Sequence, residues 1–438
     1  MNFKMIFYVM NISLKDYIIK FVIPIISMGI LFPLILKFVA PDIFIGTVGF
    51  FIYLVPIIFF MIVILYPISV INAKKNQIDH NMHYFITHIG VLSTSQLSKR
   101  EMFHKIAYKE KYKYLSKESE KIHTMMDKFG LSLPKSCRFI AERTPSKIFS
   151  DFLDRFANSV DSGISIKSFL HSEQAIVLND FNNMYKTALN AIDLIKEVFT
   201  SIVIAMVFII SLSIMIPLII GENTITPLIG SILIFIGVEI VVLYFAKSKV
   251  PRDSIWHTLD IETKTDLKIK KALLISIFSC IIISIPIIFI LNFPITISTA
   301  IILTPFIYVG KVVAKEENII KRKDSNFAAF IRSLGSLSTI KGGVLTNALK
   351  QMTYHDFGPL TQDINELYKR TNTRINSVKS WDYFSAGTGS NLIEHFGKMF
   401  ADSVHIGCKP DDSGEIISNN FMQIESLRKH RYNSASSI

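Results

Sequence analysis

Six stretches of this chain are apolar and long enough to cross a lipid bilayer, and they constrain the fold more than any other feature. A helix needs about 20 apolar residues to span the hydrocarbon core. Stretches of that size with few or no charges lie at 18–40, 43–71, 198–220, 226–246, 272–291 and 294–312. Only 19% of all residues are charged, below the roughly 25% of a typical soluble domain. The sequence therefore predicts a multi-pass membrane protein.

The spans are grouped by short polar or proline-containing joints. The run from 272 to 310 has no charge and is too long for one span, and LNFP at 291–294 supplies the break. Proline disfavours helix at the residue before it, which predicts a tight hairpin there. VAPD at 39–42 and GENTITP at 221–227 have the same character. We expect about six transmembrane helices in three hairpins. The first apolar stretch is too long for a secretory signal peptide and is followed at once by another.

Lysine and arginine indicate which segments face the cytoplasm. With the N-terminus inside, the inside segments are 1–20, 72–197, 247–271 and 311–438, and they hold 46 of the 47 Lys and Arg residues. The exception is Lys37, near the outer end of the first span. Basic residues are enriched in cytoplasmic loops. The pattern predicts a cell-membrane protein whose N-terminus and both large domains are cytoplasmic.

The large polar segments are long enough to fold as small domains and have helical patterning. FSDFLDRFANSV at 149–160 repeats apolar residues at the i, i+3, i+4 spacing, and DINELYKRTNTRI at 363–375 behaves similarly. Strand-like alternation is scarce. The prediction is an all-α protein with the following segments: an N-terminal segment and hairpin (1–71), a first helical domain (72–197), a hairpin (198–246), a basic cytoplasmic loop (247–271), a hairpin (272–314) and a second helical domain (315–438).

The two helical domains share two peptides in the same order. FITHIGVLST at 85–94 matches FIRSLGSLST at 330–339 with an offset of 245, and FANSVDSG at 156–163 matches FADSVHIG at 400–407 with an offset of 244. This predicts two homologous domains that arose by duplication. The shared framework consists of Phe85, Gly90, Leu92, Ser93, Thr94, Phe156 and Gly163 in the first copy and Phe330, Gly335, Leu337, Ser338, Thr339, Phe400 and Gly407 in the second.

The framework has two possible roles. A glycine in a helix allows a second helix to approach closely, at a helix-propensity cost of roughly 1 kcal/mol. The shared residues are then core and turn positions of homologous bundles. The alternative is that the same helices bind a partner.

The sequence carries no recognisable catalytic or cofactor site. It has no phosphate-binding GxxxxGK[ST] motif, and SAGTGSN at 385–391 lacks the lysine, which favours a loop or helix break. Of His80, His83 and His88, only the first two share a helical face, so a metal site lacks a convergent third ligand. HExxH, GxSxG and paired cysteines are missing. We predict a protein that is not an enzyme and needs no cofactor or metal.

Basic residues cluster at two places in the predicted cytoplasmic domains. The bases are Lys99, Arg100, Lys105, Lys109, Lys111, Lys113, Lys117 and Lys121 in the first domain and Lys321, Arg322 and Lys323 at the start of the second. A solvated surface is one interpretation. The other is docking onto an acidic surface of a partner protein or onto anionic lipid headgroups. No aromatic and basic stacking platform accompanies the bases, which disfavours nucleic acid.

Glu239 is the one carboxylate well inside a predicted span. Ionisable residues within a membrane are costly and often functional. In one interpretation, Glu239 faces the bundle interior or a polar seam that contacts another protein as it moves past. In the other, Glu239 lies two turns from Lys247 and is close enough to the cytoplasmic membrane surface to reach it.

The repeated peptides FITHIGVLST, FIRSLGSLST, FANSVDSG and FADSVHIG, on a scaffold of membrane hairpins, resemble the F-domain platform family of type II secretion and type IV pilus machines. The six-span layout is most similar to the archaeal branch, which includes the platform proteins of the archaellum, the archaeal flagellum (FlaJ type). The resemblance implies a platform that couples a cytoplasmic hexameric secretion ATPase to insertion of pilin-like archaellin subunits. It also implies accessory archaellum proteins as partners, and a homodimer fits a central platform.

Two alternatives to an archaellum platform stay open. The chain also differs from the platform family in one respect, its C-terminal end. The alternatives are the platform of an adhesive pilus or secretion-like system and, more remotely, a membrane transporter, since many transporters carry internal repeats. Such platforms usually close with further spans, whereas this chain stops at ESLRKHRYNSASSI. Either the chain is incomplete, which we favour, or this member has lost its closing hairpin. We expect the second domain to end in a flexible tail.

Overall fold

The computed structural model describes residues 7–8, 10, 12–39, 47–221, 225–250, 253–287, 294–342, 344–373 and 376–436. Within these residues the regular structure is helical throughout and no β-strand forms. The chain divides into two compact units, Met1–Val177 and Leu178–Ile438. The predicted all-α fold class is confirmed.

The first unit begins with a pair of long apolar helices. Helix α1 consists of Leu14–Tyr17, a π-helical turn at Ile18–Val22 and Ile23–Val39, and helix α2 is Thr47–Leu92. The two helices pack on each other. The Tyr17 hydroxyl donates a hydrogen bond of 2.7 Å to the Val63 carbonyl oxygen of α2. This contact ties the start of the first apolar helix to the second.

A bundle of shorter helices follows α2. It consists of α3 (Lys99–Ala107), α4 (Tyr114–Lys128), α5 (Leu133–Ala141), α6 (Lys147–Asp161) and the start of α7 (Ile166–Ile220), in which the boundary between the units lies. Ser98 and Glu101 form a reciprocal capping box at the start of α3. Ser132 precedes α5 and Pro134 lies in its first turn, a position that proline favours.

The second unit contains the apolar part of α7, which is also a candidate membrane span, and the remaining apolar helices. The latter are α8 (Ile225–Lys249), α9 (Lys264–Pro286), α10 (Ile295–Leu303) and α11 (Phe306–Ile340). A bend of 41° separates α10 from α11, and the described residues contain five candidate spans, or six if this bent pair is one span. This agrees with the predicted count of about six. Pro305, directly before α11, accounts for the bend. The bend was not predicted from the sequence.

A second bundle follows α11. It consists of α12 (Leu345–Met352), α13 (Thr361–Asn372), α14 (Ser377–Thr388), α15 (Asn391–Ile406) and α16 (Pro410–Ser436). Gly389 ends α14 in the left-handed conformation and Ser390 caps α15. SAGTGSN is therefore a helix break. Residues 425–436 belong to α16, so the expected flexible tail is wrong, because Leu427 and Arg428 are buried against the bundle.

The two bundles repeat the same order of helices. Helices α2 to α7 correspond in turn to α11 to α16. At offsets of 244 to 245 their bounds agree within a few residues, except that α2 starts earlier than α11 and α7 ends later than α16. A short 3₁₀ turn precedes α4 at Glu110–Tyr112 and α13 at Gly358–Leu360. We call residues 72–177 the first repeat and residues 315–436 the second repeat.

The shared aromatic framework forms the cores of both repeats. Phe85 meets Phe149 and Phe152 edge-on, with ring centroids 5.8 and 6.2 Å apart. Its counterpart Phe330 meets Phe384 at 6.0 Å. Phe85, Phe330, Phe156 and Phe400 are all at most 1% exposed. The framework therefore lies inside the bundles.

Several polar and glycine members of the framework lie at helix ends. Gly163 and Gly407 follow α6 and α15 with φ of 72° and 93°, a conformation that favours glycine. Thr339 accepts a hydrogen bond of 3.1 Å from the Asp411 amide at the start of α16. Ser93 and Thr94 bond to carbonyls of the last turn of α2, Leu92 and Ser338 are buried, and Leu337 is half-buried.

The predicted joints lie mostly outside the described residues. These are residues 40–42 of VAPD, 222–224 of GENTITP and 291–293 of LNFP. The predicted domain boundaries at the membrane faces stay predictions, since they depend on where the bilayer lies.

Candidate functional site

An extended segment, residues 253–258, lies along the start of α15 in the second repeat, and we call it the strap. The His257 amide donates to the Gly389 carbonyl and the Asn391 amide to the Ile255 carbonyl, both at 2.9 Å. The Thr258 amide donates to Glu394 at 2.7 Å, and the Thr258 hydroxyl donates to the same carboxylate at 3.1 Å. The strap precedes α9, so these bonds fix the chain before it enters the next apolar helix.

Arg428 of α16 holds the strap from the other side. Its Nε donates to Asp253 Oδ2 at 2.7 Å and its Nη2 bonds Asp253 Oδ1, forming a bidentate pair. Nη2 also donates to the Ser254 carbonyl at 2.9 Å, and Arg431 donates to the Asp253 carbonyl at 3.2 Å. The Arg428 side chain is only 2% exposed. Bidentate arginine–carboxylate pairs are geometrically specific.

Asp324 of α11 completes this buried cluster. Its Oδ2 lies 3.6 Å from Nη1 of Arg428, and its Oδ1 accepts a hydrogen bond from the Ser390 hydroxyl. The Ser390 oxygen in turn accepts from the Ile393 amide at 3.2 Å and so caps α15. One arginine thus bridges the strap and the repeat's first helix. We call Asp253, Asp324, Ser390 and Arg428 the strap cluster.

Part of the strap cluster recurs in the first repeat. The Ser146 hydroxyl bonds Asp79 Oδ1, and Ser146 caps α6 by accepting from the Phe149 amide at 3.1 Å. Asp79 and Ser146 match Asp324 and Ser390 at offsets of 245 and 244. The aspartate–serine pair is therefore a shared element that links the start of the fifth helix of each repeat to its first helix. The second repeat adds the arginine and the strap.

Burial raises the pKa of Asp324 from 3.8 to about 7, even though Arg428 and the Ser390 hydroxyl favour the charged form. Asp324 lies about three turns beyond the apolar residues that end at 312. Between pH 4 and 7 the folded protein binds a proton that the unfolded chain has released, so stability falls as pH rises through this range. We expect the unfolding midpoint of the second repeat to decrease from pH 5 to 7.5.

Asp324→Asn serves as the control for this pH dependence, because asparagine keeps an acceptor for Ser390 and does not titrate. Its midpoint should decrease less than that of the unsubstituted protein between pH 5 and 7.5. Thermal unfolding of the full chain in detergent, followed by tryptophan fluorescence, measures the difference. Parallel pH profiles of the two proteins would contradict the assignment to Asp324.

The predicted basic residues divide into an exposed group and a half-buried group. Lys99, Arg100, Lys105, Lys113, Lys117 and Arg322 are exposed, and Lys109, Lys111, Lys121, Lys321 and Lys323 are half-buried. Lys323 pairs with Asp363 at 2.7 Å with its side chain only 13% exposed, and Lys321 lies 3.8 Å from the Tyr432 ring centroid. Lys321 and Lys323 therefore make contacts within the repeat. Docking onto an ATPase or onto anionic lipid headgroups stays a prediction for all of these bases.

Each repeat exposes a lysine and a tyrosine at the same place. Lys105 and Tyr108 lie at the end of α3, and Lys350 and Tyr354 lie at the end of α12. Both lysines are exposed, and the tyrosines are 73% and 79% exposed. Lys105 and Lys350 match at an offset of 245. We call these four residues the Lys–Tyr edges.

Glu239 and His88 are the remaining candidate residues. Glu239 is half-exposed on α8, and neither interpretation of it is tested. His88 is buried with its Nδ1 2.9 Å from the Tyr112 hydroxyl. Within the described part of the chain, no group of three or more His, Cys, Asp or Glu side chains is arranged to hold a metal ion.

The strap cluster was not predicted from the sequence, because its members are far apart along the chain and lie in segments to which the sequence analysis assigned other roles. Asp253 falls in the basic loop 247–271, and Arg428 falls in the expected tail. The matched spacing of Asp79 with Ser146 and of Asp324 with Ser390 could have indicated the aspartate–serine pair.

Comparison with known proteins finds a described family in the first repeat and the apolar part of α7 that follows it. Residues 85–216 match the family described as type II secretion system (T2SS), protein F. The match begins at Phe85, the first residue of the repeated framework. No solved structure matches the chain.

Two relatives named flagella accessory protein J extend the comparison to nearly the whole chain. The protein of Methanocaldococcus jannaschii is 36% identical over 430 residues, which cover 95% of this chain and 75% of the relative. The protein of Methanococcus voltae is 35% identical over 428 residues, which cover 95% of this chain and 76% of the relative. Identity of this extent, together with the protein F match and the apolar helices, shows that the chain belongs to the flagella accessory protein J family of membrane proteins.

Proposed function

We propose that this protein is the membrane platform of an archaellum assembly and rotation machine. In this role it couples a cytoplasmic hexameric secretion ATPase to the insertion of pilin-like archaellin subunits into the filament. Accessory archaellum proteins and a second copy of the chain are further proposed partners. The name of its relatives and the protein F domain support a platform role.

One structural observation carries the coupling proposal: the first helix of each repeat is continuous with an apolar helix. Helix α2 contains a candidate span beginning at Val55 and the core residue Phe85 in one unbroken run. Helix α11 contains the apolar residues from Phe306 and the core residue Phe330 in the same way. A displaced repeat therefore moves the attached apolar helix with it, since no flexible linker separates them.

The distribution of basic residues supports a cytoplasmic location of both repeats. All but Lys37 of the Lys and Arg residues lie in segments that share one side of the membrane in the six-span arrangement. A cytoplasmic ATPase would then reach both repeats. The Lys–Tyr edges give the two repeats equivalent exposed surfaces, which a symmetric ring could contact in the same way.

We expect combined substitution of the Lys–Tyr edges to weaken ATPase binding at least tenfold. The variant is Lys105→Glu, Tyr108→Ser, Lys350→Glu and Tyr354→Ser, which reverses two charges and removes two exposed aromatic rings. Pull-down of the purified cognate ATPase by the full chain in detergent, at low and high salt, measures the effect. Charge steering makes the loss largest at low salt.

Lys135→Glu with Lys147→Glu is the control, because it reverses two exposed lysines elsewhere on the first repeat. Equal loss of ATPase binding in the control would show a general charge effect and contradict docking at the edges. Undiminished binding in the edge variant, with normal filaments in cells, would exclude this surface.

A further inference from the structure

A basic pocket of about 320 Å³ lies between the N-terminal residues and the first repeat. Its cationic side chains come from three places: Lys74 on α2, Lys117 and Lys121 on α4, and Arg143 in the turn after α5. Tyr8 of the N-terminal segment also lines it. We call this the basic pocket.

The basic pocket concentrates positive charge around two aromatic rings. Nζ of Lys74 and Nζ of Lys117 lie 4.8 and 5.8 Å from the centroid of the same Tyr114 ring. Nζ of Lys121 lies 4.8 Å from the Tyr8 ring. Among the residues that line the pocket, four are cationic and one, Glu118, is anionic.

The carboxylates at the pocket do not neutralise this cluster. Glu118 pairs with Lys121 at 2.8 Å, and Glu142, which is not part of the lining, pairs with Arg143 at 3.1 Å. The four cationic and two anionic side chains together carry a net charge of +2. Like charges so close together repel each other, and an anion in the pocket would relieve that repulsion. The tyrosine rings give partial compensation through cation–π contacts. The lining therefore favours an anionic ligand.

The sequence positions of the lining residues indicate how deep the pocket lies relative to the membrane. Tyr8 precedes the first apolar helix, which begins at Leu14, and Lys74 follows the apolar run that ends at residue 71. Tyr17 is tied to Val63 by the hydrogen bond described above, and the Phe21 ring stacks on Tyr66 at 5.6 Å. The two apolar helices are therefore held in register, and the pocket lies where both reach the membrane surface.

Lysine and tyrosine at the ends of apolar helices are typical of the headgroup level of a bilayer. Basic pockets beside membrane helices on the cytoplasmic side bind anionic headgroups. Inorganic phosphate offers the same oxygen acceptors but is not concentrated at this depth. The depth of the pocket thus favours a lipid over a soluble anion.

We propose that the basic pocket binds the phosphate of an anionic phospholipid headgroup. Lys74, Lys117, Lys121 and Arg143 donate hydrogen bonds to the phosphate oxygens, and Ile78 and Met10 offer apolar surface to the glycerol end of the lipid. The bound lipid fixes the N-terminal segment against α2 and α4. This assigns Lys117 and Lys121 a role distinct from ATPase docking.

The test uses the purified full chain in a zwitterionic detergent, titrated with dioleoylphosphatidylglycerol, dioleoylphosphatidylcholine or inorganic phosphate. Lipid retention is measured by native mass spectrometry, and stabilisation by the unfolding midpoint. We expect the phosphatidylglycerol to bind and raise the midpoint, and the neutral lipid and free phosphate to have little effect. In the Lys74→Gln, Lys117→Gln variant, half-saturation should need at least tenfold more phosphatidylglycerol.

Two further variants make the outcome decisive. Lys99→Gln with Lys105→Gln removes the same charge from exposed positions outside the pocket and should bind like the unsubstituted protein. Lys117→Gln alone changes one exposed side chain, leaves the fold intact and should weaken binding about fivefold. Equal weakening in the Lys99, Lys105 control would overturn the proposal in favour of general charge attraction. Equal stabilisation by inorganic phosphate, or no binding of any anion, would also overturn it.

Discussion

Arg428→Met is expected to destabilise the second repeat by about 3–5 kcal/mol, the usual result of removing one partner from a buried ion pair. Methionine fills a similar volume but leaves Asp253 and Asp324 without the guanidinium, and these carboxylates are only 10% and 7% exposed. The bond from Arg428 to the Ser254 carbonyl is lost as well. The strap should then detach, which removes the fixed path between the second repeat and helix α9.

The two tryptophans of the chain make this effect measurable in the intact protein. Trp256 lies in the strap and Trp381 lies in the core of the second repeat, 1% exposed, so indole fluorescence reports on this repeat. Thermal or urea unfolding of the full chain in detergent should show a lower midpoint in the variant. In cells, the variant should reach the membrane and assemble few filaments.

Arg332→Met is the matched control. Arg332 lies on α11 of the same repeat and pairs with Glu415 at 3.6 Å, but the two side chains are 55% and 58% exposed. Exposed pairs contribute about 0–1 kcal/mol, so this variant should unfold close to the unsubstituted protein. If Arg428→Met unfolds at the same midpoint as the Arg332 control, the strap cluster does not hold the repeat together.

The strap cluster also shows where sequence reasoning stops. The spans follow from hydropathy, the helices from the i, i+3, i+4 pattern, and the duplication from two peptides at nearly one offset. Asp253 and Arg428 are 175 positions apart, and neither repeats in the first domain. An aspartate in a basic loop is expected to be solvated, whereas the fold places Asp253 against a buried arginine. Pairing over that distance depends on tertiary packing, which no local pattern encodes.

The glycine shared by the two repeats shows a second limit of prediction from the sequence. Gly90 and Gly335 occupy the same place in matching peptides, yet their surroundings differ. A Cβ on Gly335 would lie 2.5 Å from the Pro410 carbonyl oxygen and 3.2 Å from the Gly414 Cα of α16. A Cβ on Gly90 would meet nothing within 4 Å. The expected close helix approach is therefore found at Gly335 and is wrong for Gly90, because each neighbouring helix has its own sequence.

This difference gives a matched pair of substitutions with opposite expected signs. Gly335→Ala should destabilise the second repeat by about 1–3 kcal/mol or more, since the clash is with backbone atoms that cannot rotate away. Gly90→Ala should leave the first repeat unchanged or stabilise it by up to about 1 kcal/mol, because alanine favours helix and finds open space. Gly414→Ala should act like Gly335→Ala, because its Cβ would lie 2.9 Å from the Ile331 carbonyl oxygen.

Hydrogen–deuterium exchange of the full chain in detergent separates the two effects, because peptides from each repeat are read independently. In Gly335→Ala, exchange should rise in α11 and α16, where the helices cross, and the tryptophan-detected midpoint should fall. In Gly90→Ala, exchange of α2 should stay the same or slow. Equal behaviour of the two variants would mean that the close crossing of α11 and α16 does not contribute to stability. The opposite signs would instead show that one duplicated peptide has been kept for two different reasons, a helix crossing in the second repeat and a helix end in the first.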